Sequence, residues 1–227
     1  MMFASRITSI GEKDKVLEVG PGGNPFHRSD VLLEKKFNKH EQFEQRGGTP
    51  ELKTNKTIVY YSGLSFPFKS DEFDYVICSH VIEHVEEEEI PFFLSELQRV
   101  AKRGYIEFPT AYYDYLYNFD VHKTFVYYDG DKINFSSKKN FNLDSFKPIQ
   151  NFFHTTLELG EESILESYRT LFFQGFEWNE EIKSKKVSSL KYLTFPLDSI
   201  NNNSLSIKRS LKNIKNEMKN IISIIRS

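Results

Sequence analysis

Residues 16–25, with the sequence VLEVGPGGNP, join a hydrophobic run to a glycine-rich turn. The run is typical of a buried strand, and the acid Glu18 lies close to its end. Gly20 and Gly22 permit the backbone conformations and the close approach that a nucleotide-like ligand needs just beyond a strand. A buried strand followed by any tight turn has a similar sequence, so this stretch alone leaves both interpretations open.

A second acid, Glu34, ends the apolar run DVLLE at residues 30–34. A carboxylate at the end of a second strand can accept hydrogen bonds from both hydroxyls of a ribose. A dinucleotide site would carry G-x-G-x-x-G and lead into a helix N-terminus that holds the pyrophosphate. Pro25 stands at the position of the third glycine, so the sequence disfavours a pyrophosphate-binding turn.

Outward from this stretch, short apolar runs alternate with helical patterns, which is typical of an α/β sheet with crossover helices. The sequence predicts a helix at Glu89–Arg103 and strands at Lys15–Val19, Asp30–Glu34, Thr57–Tyr61, Phe73–Ser79 and Gly104–Phe108. An Asp129-Gly130 turn predicts a hairpin between Thr124–Tyr128 and Ile133–Phe135. Two later runs are also candidate strands, Pro148–Phe153 and Thr170–Trp178.

The composition limits the classes of protein to consider. A chain of 227 residues, 39% hydrophobic and 27% charged, fits one globular domain with a modest appendage. The formal net charge of −2 argues against a general binder of nucleic acid polymers or membrane surfaces. One cysteine, Cys78, excludes an internal disulfide framework. The sequence shows no signal peptide pattern and no transmembrane segment, so a cytoplasmic location is predicted.

The sequence divides into a domain at residues 1–200, with an aromatic-rich lid insertion at about 111–140, and an amphipathic helix at residues 201–227. The helix is predicted from an apolar stripe at helical spacing, Ile207, Leu211, Ile214, Met218, Ile221, Ile222 and Ile225. Its polar face carries six basic residues and Glu217, a local net charge of +5. Docking on the sheet, association with a second copy or a partner subunit, and contact with a membrane surface or polyanion stay open.

Two further segments narrow the family. LSFPF at residues 64–68 and DEFDYVICSHVIEHV at residues 71–85 follow the glycine turn and Glu34 in order. Over roughly residues 12–110 these four segments resemble the class I S-adenosylmethionine-dependent methyltransferases. The resemblance implies S-adenosyl-L-methionine as cofactor. It also implies a Rossmann-like, seven-stranded, mostly parallel sheet whose last strand is antiparallel.

The same resemblance implies which residues bind the methyl donor. They are Glu18, Gly20, Gly22 and Asn24 at the methionine and ribose end, Glu34 on the ribose, Ser62, Gly63 and Leu64 beside the adenine, and Ser79 beside the methyl group. The connection from the turn to Glu34 is short, so the first helix is expected to be abbreviated.

A histidine cluster follows the fourth predicted strand. His80, Glu83 and His84 share one face of a helix by spacing, and two imidazoles with a carboxylate suit a divalent metal. The segment resembles the E-x-x-E-H motif of small-RNA-terminal 2′-O-methyltransferases and of ubiquinone-pathway O-methyltransferases, with His80 in place of the first glutamate. In the RNA enzymes a further histidine completes the site, and His122 is the residue that this resemblance implies as the fourth ligand.

Other interpretations of the cluster stay open. Without a metal, Glu83 and His84 would orient the loop, and His80 would act as a general base, because its ordinary pKa of about 6.5 lies near neutrality. Glu107 is a second catalytic candidate on the acceptor side, or it pairs with Lys123 or Arg103. H-x-x-E-H also occurs in zinc peptidases, but there it lies within a long helix, and here a strand leads into it.

The sequence predicts an S-adenosylmethionine-dependent O-methyltransferase that acts on a small polar or phosphorylated acceptor, with His80, His84 and Glu107 as catalytic residues. Gly-Asn-Pro after the first glycines is similar to methyltransferases that accompany bacterial surface-polysaccharide synthesis. That similarity implies a sugar hydroxyl or a phosphate-type oxygen of a capsule precursor as the acceptor. The alternative is a catalytically silent partner subunit that uses the basic C-terminal helix, and failure to bind the donor would distinguish it.

Overall fold

The computed structural model describes residues 3–36, 54–160 and 163–195. Its strands are β1 (Val16–Val19), β2 (Val31–Lys35), β3 (Thr57–Tyr61), β4 (Tyr75–Ser79), β5 (Arg103–Pro109), β6 (Thr124–Tyr128), β7 (Ile133–Ser137), β8 (Phe173–Asn179) and β9 (Ser184–Lys186). Its helices are α1 (Ile90–Val100), α2 (Ala111–Tyr117), α3 (Lys147–Glu158), α4 (Ser163–Ser167) and α5 (Arg169–Phe172).

The main sheet has six strands in the order β3-β2-β1-β4-β5-β8. The first five are parallel, and β8 pairs with β5 in the antiparallel direction. This is a mixed α/β, Rossmann-like sheet, and its antiparallel last strand confirms that part of the prediction. Within the described ranges the sheet contains six strands rather than the predicted seven.

Apolar burial explains why these runs become central strands. All four residues of β1 are buried, and β4 from Tyr75 to Cys78 is fully buried, as expected for parallel strands that helices and loops cover on both faces. Helix α1 buries Leu94, Leu97 and Val100 against the sheet. Ser95 is exposed on the opposite face, whereas the acid Glu96 is buried and pairs with Arg99, so the helix is amphipathic as predicted with one partly buried ion pair.

The aromatic-rich segment at 111–140 forms α2 and the predicted β6–β7 hairpin, and β9 extends the hairpin to a three-stranded sheet. Asp129 fixes the hairpin turn, because its carboxylate accepts hydrogen bonds from the peptide N–H groups of Asp131 and Lys132, each at 3.0 Å. Phe125 and Val126 are buried. The segment is therefore a packed layer of the molecule, and its closure over an acceptor stays a prediction.

Two predicted strands differ from the structure. Pro148–Phe153 lies within α3, and Pro148 occupies the first helical turn, where its missing N–H and fixed φ are tolerated. Thr170–Trp178 contains the end of α5 before β8 begins at Phe173. The predicted C-terminal helix at 201–227 lies outside the described residues. No helix in the described ranges is both long and apolar enough to cross a membrane.

Candidate functional site

The carboxyl ends of the parallel strands place the predicted donor residues along one edge of the main sheet. Gly20, Gly22 and Gly63 have φ values of +64°, +59° and +81°, which L side chains rarely adopt. A Cβ on Gly22 or Gly63 would meet no atom of the described residues within 4 Å, so a ligand can approach the backbone closely at both positions. A Cβ on Gly20 would collide with Val81, so Gly20 brings the turn against the loop after β4.

The turn between β1 and β2 is held by charged side chains rather than by a helix. In the fully described stretch 20–30 there is no helix, which agrees with the expected abbreviation. Lys56 Nζ donates hydrogen bonds to the carbonyls of Phe26, His27 and Ser29 at 2.6–3.0 Å. No helix N-terminus is therefore placed there to hold a pyrophosphate.

The two predicted acids occupy neighbouring strands. Glu18 is buried, and its Oε2 accepts hydrogen bonds from the peptide N–H of Phe26 at 2.9 Å and the hydroxyl of Ser29 at 2.6 Å. Burial raises the pKa of Glu18, and these two hydrogen bonds oppose that effect. Glu34 is buried near the end of β2 and pairs in register with Tyr60 of β3. The Glu18 carboxylate thus stabilises the turn by hydrogen bonds. Glu34 lies on the strand whose carboxylate is predicted to accept hydrogen bonds from the ribose hydroxyls.

The remaining predicted donor residues lie at the same edge. Asn24 is exposed in the first turn, and the exposed stretch 62–64, which includes Leu64, directly follows β3. Ser79 ends β4, between β1 and β5. The sheet order thus brings the predicted donor residues together, and donor binding by them stays a prediction.

His80 begins the loop after β4 in a left-handed conformation, with φ of +57°. Its Nε2 lies 3.0 Å from Glu107 Oε1, and its Nδ1 lies 3.5 Å from Glu83 Oε1. Burial lowers the pKa of His80, but the hydrogen bond with Glu107 and the nearby carboxylate of Glu83 outweigh burial and raise it to about 9. A protonated imidazole has no lone pair, so this geometry disfavours the predicted roles of His80 as general base and metal ligand and favours a positioning role.

Glu107, the other catalytic candidate, is fully buried in β5. Its Oε1 also accepts a hydrogen bond from Ser79 at 3.0 Å, and its Oε2 accepts hydrogen bonds from the Tyr105 hydroxyl at 2.7 Å and the Phe3 peptide N–H at 2.9 Å. The alternative pairing with Arg103 is wrong, because Arg103 binds Asp14 at 2.6 Å. Glu107 therefore holds His80 in place rather than facing an acceptor.

Three of the four predicted metal ligands converge. Glu83, His84 and His122 each offer one ligand atom, and these atoms lie within 4.8 Å of one another. Glu83 is only 1% exposed, and neither of its carboxylate oxygens has a hydrogen-bond partner in the described part of the chain. A buried carboxylate without hydrogen bonds requires cationic partners. Protonated His80, 3.5 Å from Oε1, is one such partner, and the two converging imidazoles fit a metal ion as a second.

The hydrogen bonds of the two histidines leave the correct nitrogens for a metal. His84 Nδ1 lies 3.1 Å from the carbonyl oxygen of Val121, which can only accept, so Nδ1 carries the proton. His122 Nδ1 lies 2.9 Å from Asp114 Oδ1, as in the carboxylate–histidine pairs of metal sites. Burial also lowers the pKa of His84, which favours its neutral form. His84 Nε2 therefore presents a lone pair 4.0 Å from Glu83 Oε1, and the contact of His122 Nδ1 with Asp114 leaves Nε2 as the ligand atom of His122.

Aromatic rings connect His80 to this cluster. The ring of Phe173 lies 5.4 Å from that of His80, Tyr113 lies 5.0 Å from Phe173, and Tyr113 lies 6.2 Å from His122. Phe119 packs against both His122, at 5.5 Å, and Tyr113, at 5.7 Å. The two histidine groups thus share one aromatic wall.

The sequence analysis missed Asp114, the residue that orients His122. Asp114 is buried on α2, and its Oδ1 also accepts a hydrogen bond from the Lys138 ammonium at 3.2 Å. A lone acid in the aromatic helix AYYDYLY was a usable signal, because a buried carboxylate requires partners. The backbone carbonyl of Val121 left no signal in the sequence.

Part of the chain also matches a known protein family. Residues 34–126 match the model of a family described as a methyltransferase domain, which is less than half of the chain. No curated protein matches the chain. A S-adenosylmethionine-dependent methyltransferase from Methanosarcina mazei is similar at 17% identity, with 53% of this chain and 69% of that chain covered and a TM-score of 0.32.

Two further solved structures show similar values. One is a protein from Pyrococcus horikoshii, at 16% identity, 61% and 72% coverage of this chain and that chain, and a TM-score of 0.35. The other is a S-adenosylmethionine-dependent methyltransferase from Mesorhizobium loti, at 12% identity, 60% and 61% coverage and a TM-score of 0.35. These similarities are too distant to indicate a substrate. The family match supports a methyltransferase domain over residues 34–126.

Proposed function

We propose that the chain is an S-adenosylmethionine-dependent O-methyltransferase for a small polar acceptor, assisted by a divalent metal at Glu83, His84 and His122. The observation that carries this proposal is the convergence of three ligand atoms, one of them on a buried carboxylate, within 4.8 Å of one another. The cluster follows β4, next to the edge where the predicted donor residues lie. A donor and a metal-bound acceptor would therefore be neighbours.

On the donor side, the backbone at Gly22 and Gly63 would lie against the ligand, and Glu34 would accept hydrogen bonds from the ribose. Bound S-adenosyl-L-methionine supplies a methyl group that is already activated on a sulfonium, for direct displacement by an oxygen. What the protein must add is alignment, which contributes roughly 7–11 kcal/mol in well-oriented systems.

On the acceptor side, Glu83, His84 and His122 would hold the metal, and Asp114 and the Val121 carbonyl would fix the two imidazoles. A divalent metal there would lower the pKa of an acceptor hydroxyl and hold its oxygen in place. His80 would lie between Glu83 and Glu107, and the rings of Tyr113 and Phe173 would exclude water from the acceptor.

The aromatic wall also favours a particular class of acceptor. Sugar rings present apolar C–H faces that pack on aromatic side chains, while their hydroxyl groups can reach polar ligands at the edge. We therefore keep the acceptor as a sugar hydroxyl or a phosphate-type oxygen, in a small precursor of bacterial capsule or other surface polysaccharide. Methyl-transfer assays against nucleotide sugars and phosphorylated sugars test this directly, and transfer only to nitrogen or carbon acceptors would contradict it.

Donor binding separates an enzyme from a silent partner subunit. Calorimetry with S-adenosyl-L-methionine and with its demethylated product should show saturable binding of both. The Glu34→Ala variant should weaken donor binding by about 1–3 kcal/mol through lost ribose hydrogen bonds, whereas Glu12→Ala, at an exposed acid, should not. If neither ligand binds the wild type, the enzyme proposal is wrong and the silent subunit is favoured.

Metal analysis tests the cluster independently of the acceptor. Protein purified without chelator should contain about one divalent ion per chain, as expected for a site with three protein ligands. The His84→Ala and His122→Ala variants should lose the ion. The matched control, His154→Ala, should retain it, because His154 packs on Phe119 but is not one of the clustered ligands. Full methyl-transfer activity in excess EDTA would contradict metal assistance while leaving donor binding intact.

A further inference from the structure

Helix α3 buries polar side chains and exposes several large apolar ones beside exposed polar residues such as Lys147 and Asn151. Its buried positions include Gln150 and Thr156, and Gln150 Nε2 donates to the Leu143 carbonyl at 3.1 Å. Large apolar side chains instead point outward at helical spacing, in a row that consists of Phe146, Ile149, Phe152 and Leu159, which are 38%, 48%, 64% and 72% exposed. We call these four residues the α3 row. A contiguous exposed apolar row of this kind marks an interaction surface.

The described chain ends close to the α3 row. Phe195 stacks on Tyr112 of α2, with ring centroids 5.8 Å apart and an interplanar angle of 11°. Three residues along the same helix, Tyr115 contacts Phe146 edge to face at 5.1 Å. Phe195 is therefore connected to Phe146, the first residue of the α3 row, through Tyr112 and Tyr115, which lie about one helical turn apart on α2.

A matching partner follows in the same chain. Residues 204–227 carry the apolar stripe from Ile207 to Ile225, and such a stripe needs an apolar surface to cover it. The eight residues 196–203 span up to about 26 Å when extended, which is more than the path from Phe195 to Phe146 requires. A segment tethered by so short a linker has an effective concentration in the millimolar range, so it outcompetes a second copy of the chain.

The charges near the α3 row also favour residues 204–227 as the segment that covers it. The segment has six basic residues and one acid, whereas Asp144 and Glu158 are exposed near the two ends of the row. We propose that residues 204–227 form a helix that packs its apolar stripe on the α3 row of the same chain. The docked helix would cover α3, which in turn packs on α2, the helix that carries Asp114.

Photo-cross-linking in the full chain tests the contact and its partner. Benzoylphenylalanine replaces Phe152, and as a matched control it replaces Phe92, an apolar residue of α1 that is 43% exposed. The protein is a mixture of ¹⁴N-labelled and ¹⁵N-labelled chains. We expect cross-links from position 152 to peptides of 204–227 that join only chains of equal label, and none to that segment from position 92.

Two results of this experiment would overturn the proposal. Cross-links between light and heavy chains would show that a second copy covers the row. Cross-links from position 152 that never reach 204–227 would show that another surface does so.

Hydrogen exchange gives a second measure that does not depend on a cross-linker. Amides of 204–227 should exchange about tenfold or more faster in the Ile149→Asp/Phe152→Asp variant than in the wild type, because the apolar contact is lost. The Phe92→Asp variant should behave as the wild type. Equal exchange in all three proteins, or protection that appears only with vesicles containing phosphatidylserine, would overturn the proposal, and the second result would assign the segment to a lipid surface.

Discussion

At the residue scale, two glycines of the first turn have similar backbone angles but different surroundings. Gly20 has φ of +64° and packs against Val81, whereas Gly22 has φ of +59° and, in the part of the chain that the structure describes, no atom near the position of a Cβ. A left-handed conformation costs an alanine roughly 1–2 kcal/mol, and an overpacked methyl group adds about 1–3 kcal/mol. Substitution at the two positions should therefore separate stability from ligand binding.

We expect Gly20→Ala to lower the free energy of unfolding by roughly 2–5 kcal/mol, because it combines both costs. Gly22→Ala should lower it by only about 1–2 kcal/mol, yet weaken donor binding by tenfold or more, because the methyl group enters space that the donor needs. Urea unfolding and calorimetry on both variants check these values. Unchanged donor affinity in Gly22→Ala would show that the donor does not touch this turn.

Asp114 offers a second test at the same scale. Asp114→Asn keeps the size of the side chain but removes the charge that orients His122, so we expect metal affinity to fall about 10–100-fold. Titration of the metal-free protein with Zn²⁺ or Mg²⁺ measures this, with the exposed Asp144→Asn as control. Because Lys138 also binds Asp114, unfolding is measured on the same proteins to separate stability from affinity. Equal metal affinity in the two variants would remove Asp114 from the site.

The residues of the cluster show how far sequence reasoning reaches. Spacing alone brought Glu83 and His84 together, and the position of His122 was available from resemblance. The hydrogen bond between His80 and Glu107 could not be predicted, because it depends on the register that pairs Ser79 with Glu107 across β4 and β5. Contacts between residues far apart in the chain follow from strand register, which a single sequence does not specify.

At the scale of elements, buried apolar runs were predicted well, and β3 was predicted with its observed bounds, Thr57–Tyr61. α3 was mistaken for a strand because Phe152-Phe153 and the nearby threonines have high β propensity. Its helical period is hidden, because the face toward the protein carries Gln150 and Thr156 while Ile149 and Phe152 face solvent. Prediction of secondary structure from hydrophobic periodicity fails for a helix whose apolar side chains face solvent instead of the core.

The N-terminal segment is fastened to β8 by one carboxylate. Glu177 accepts hydrogen bonds from the N–H and hydroxyl groups of Thr8 and Ser9 and from the hydroxyl of Tyr75, at 2.7–3.0 Å. Burial raises the pKa of Glu177, but these hydrogen bonds outweigh it and lower the pKa to about 2, from an ordinary value of 4.5. The folded state therefore favours the ionised carboxylate.

This contact should make part of the stability depend on pH. The pKa of Glu177 is lower in the folded state than its ordinary value of 4.5, so its ionised carboxylate stabilises the folded state fully above about pH 4.5. This stabilisation is lost as the pH falls toward 2. We expect Glu177→Gln to unfold about 1–2 kcal/mol more easily at pH 7, a value reduced for solvent screening, and the difference from wild type to shrink below pH 4.5. Urea titrations between pH 3 and pH 7 measure it. A difference that is constant over this range would contradict the assignment.

At the scale of the whole molecule, the predicted donor site and the metal cluster join different parts of the fold. The donor residues lie along the main sheet, whereas Glu83 and His84 follow β4 and His122 precedes β6 of the second sheet. The Lys123 peptide N–H donates to the Glu83 carbonyl at 2.7 Å, and the Thr124 hydroxyl donates to the Val85 carbonyl at 2.6 Å. A metal bound at the cluster would thus connect the two sheets, while a donor would not.

Hydrogen exchange should resolve this division. A ligand present at a hundred times its Kd stabilises the binding-competent state by about 2.7 kcal/mol, which slows opening of the protected segment by about a hundredfold. With S-adenosyl-L-methionine alone, we expect slower exchange at residues 20–25 and 62–64. With a divalent metal alone, we expect it at residues 82–85 and 119–124, and the two effects should add when both ligands are present. If the metal slows exchange at no amide of the second group, the cluster does not bind it in solution. If the donor protects only that second group, the methyl donor lies elsewhere than the glycine edge, and the division of the fold into a donor side and an acceptor side is wrong.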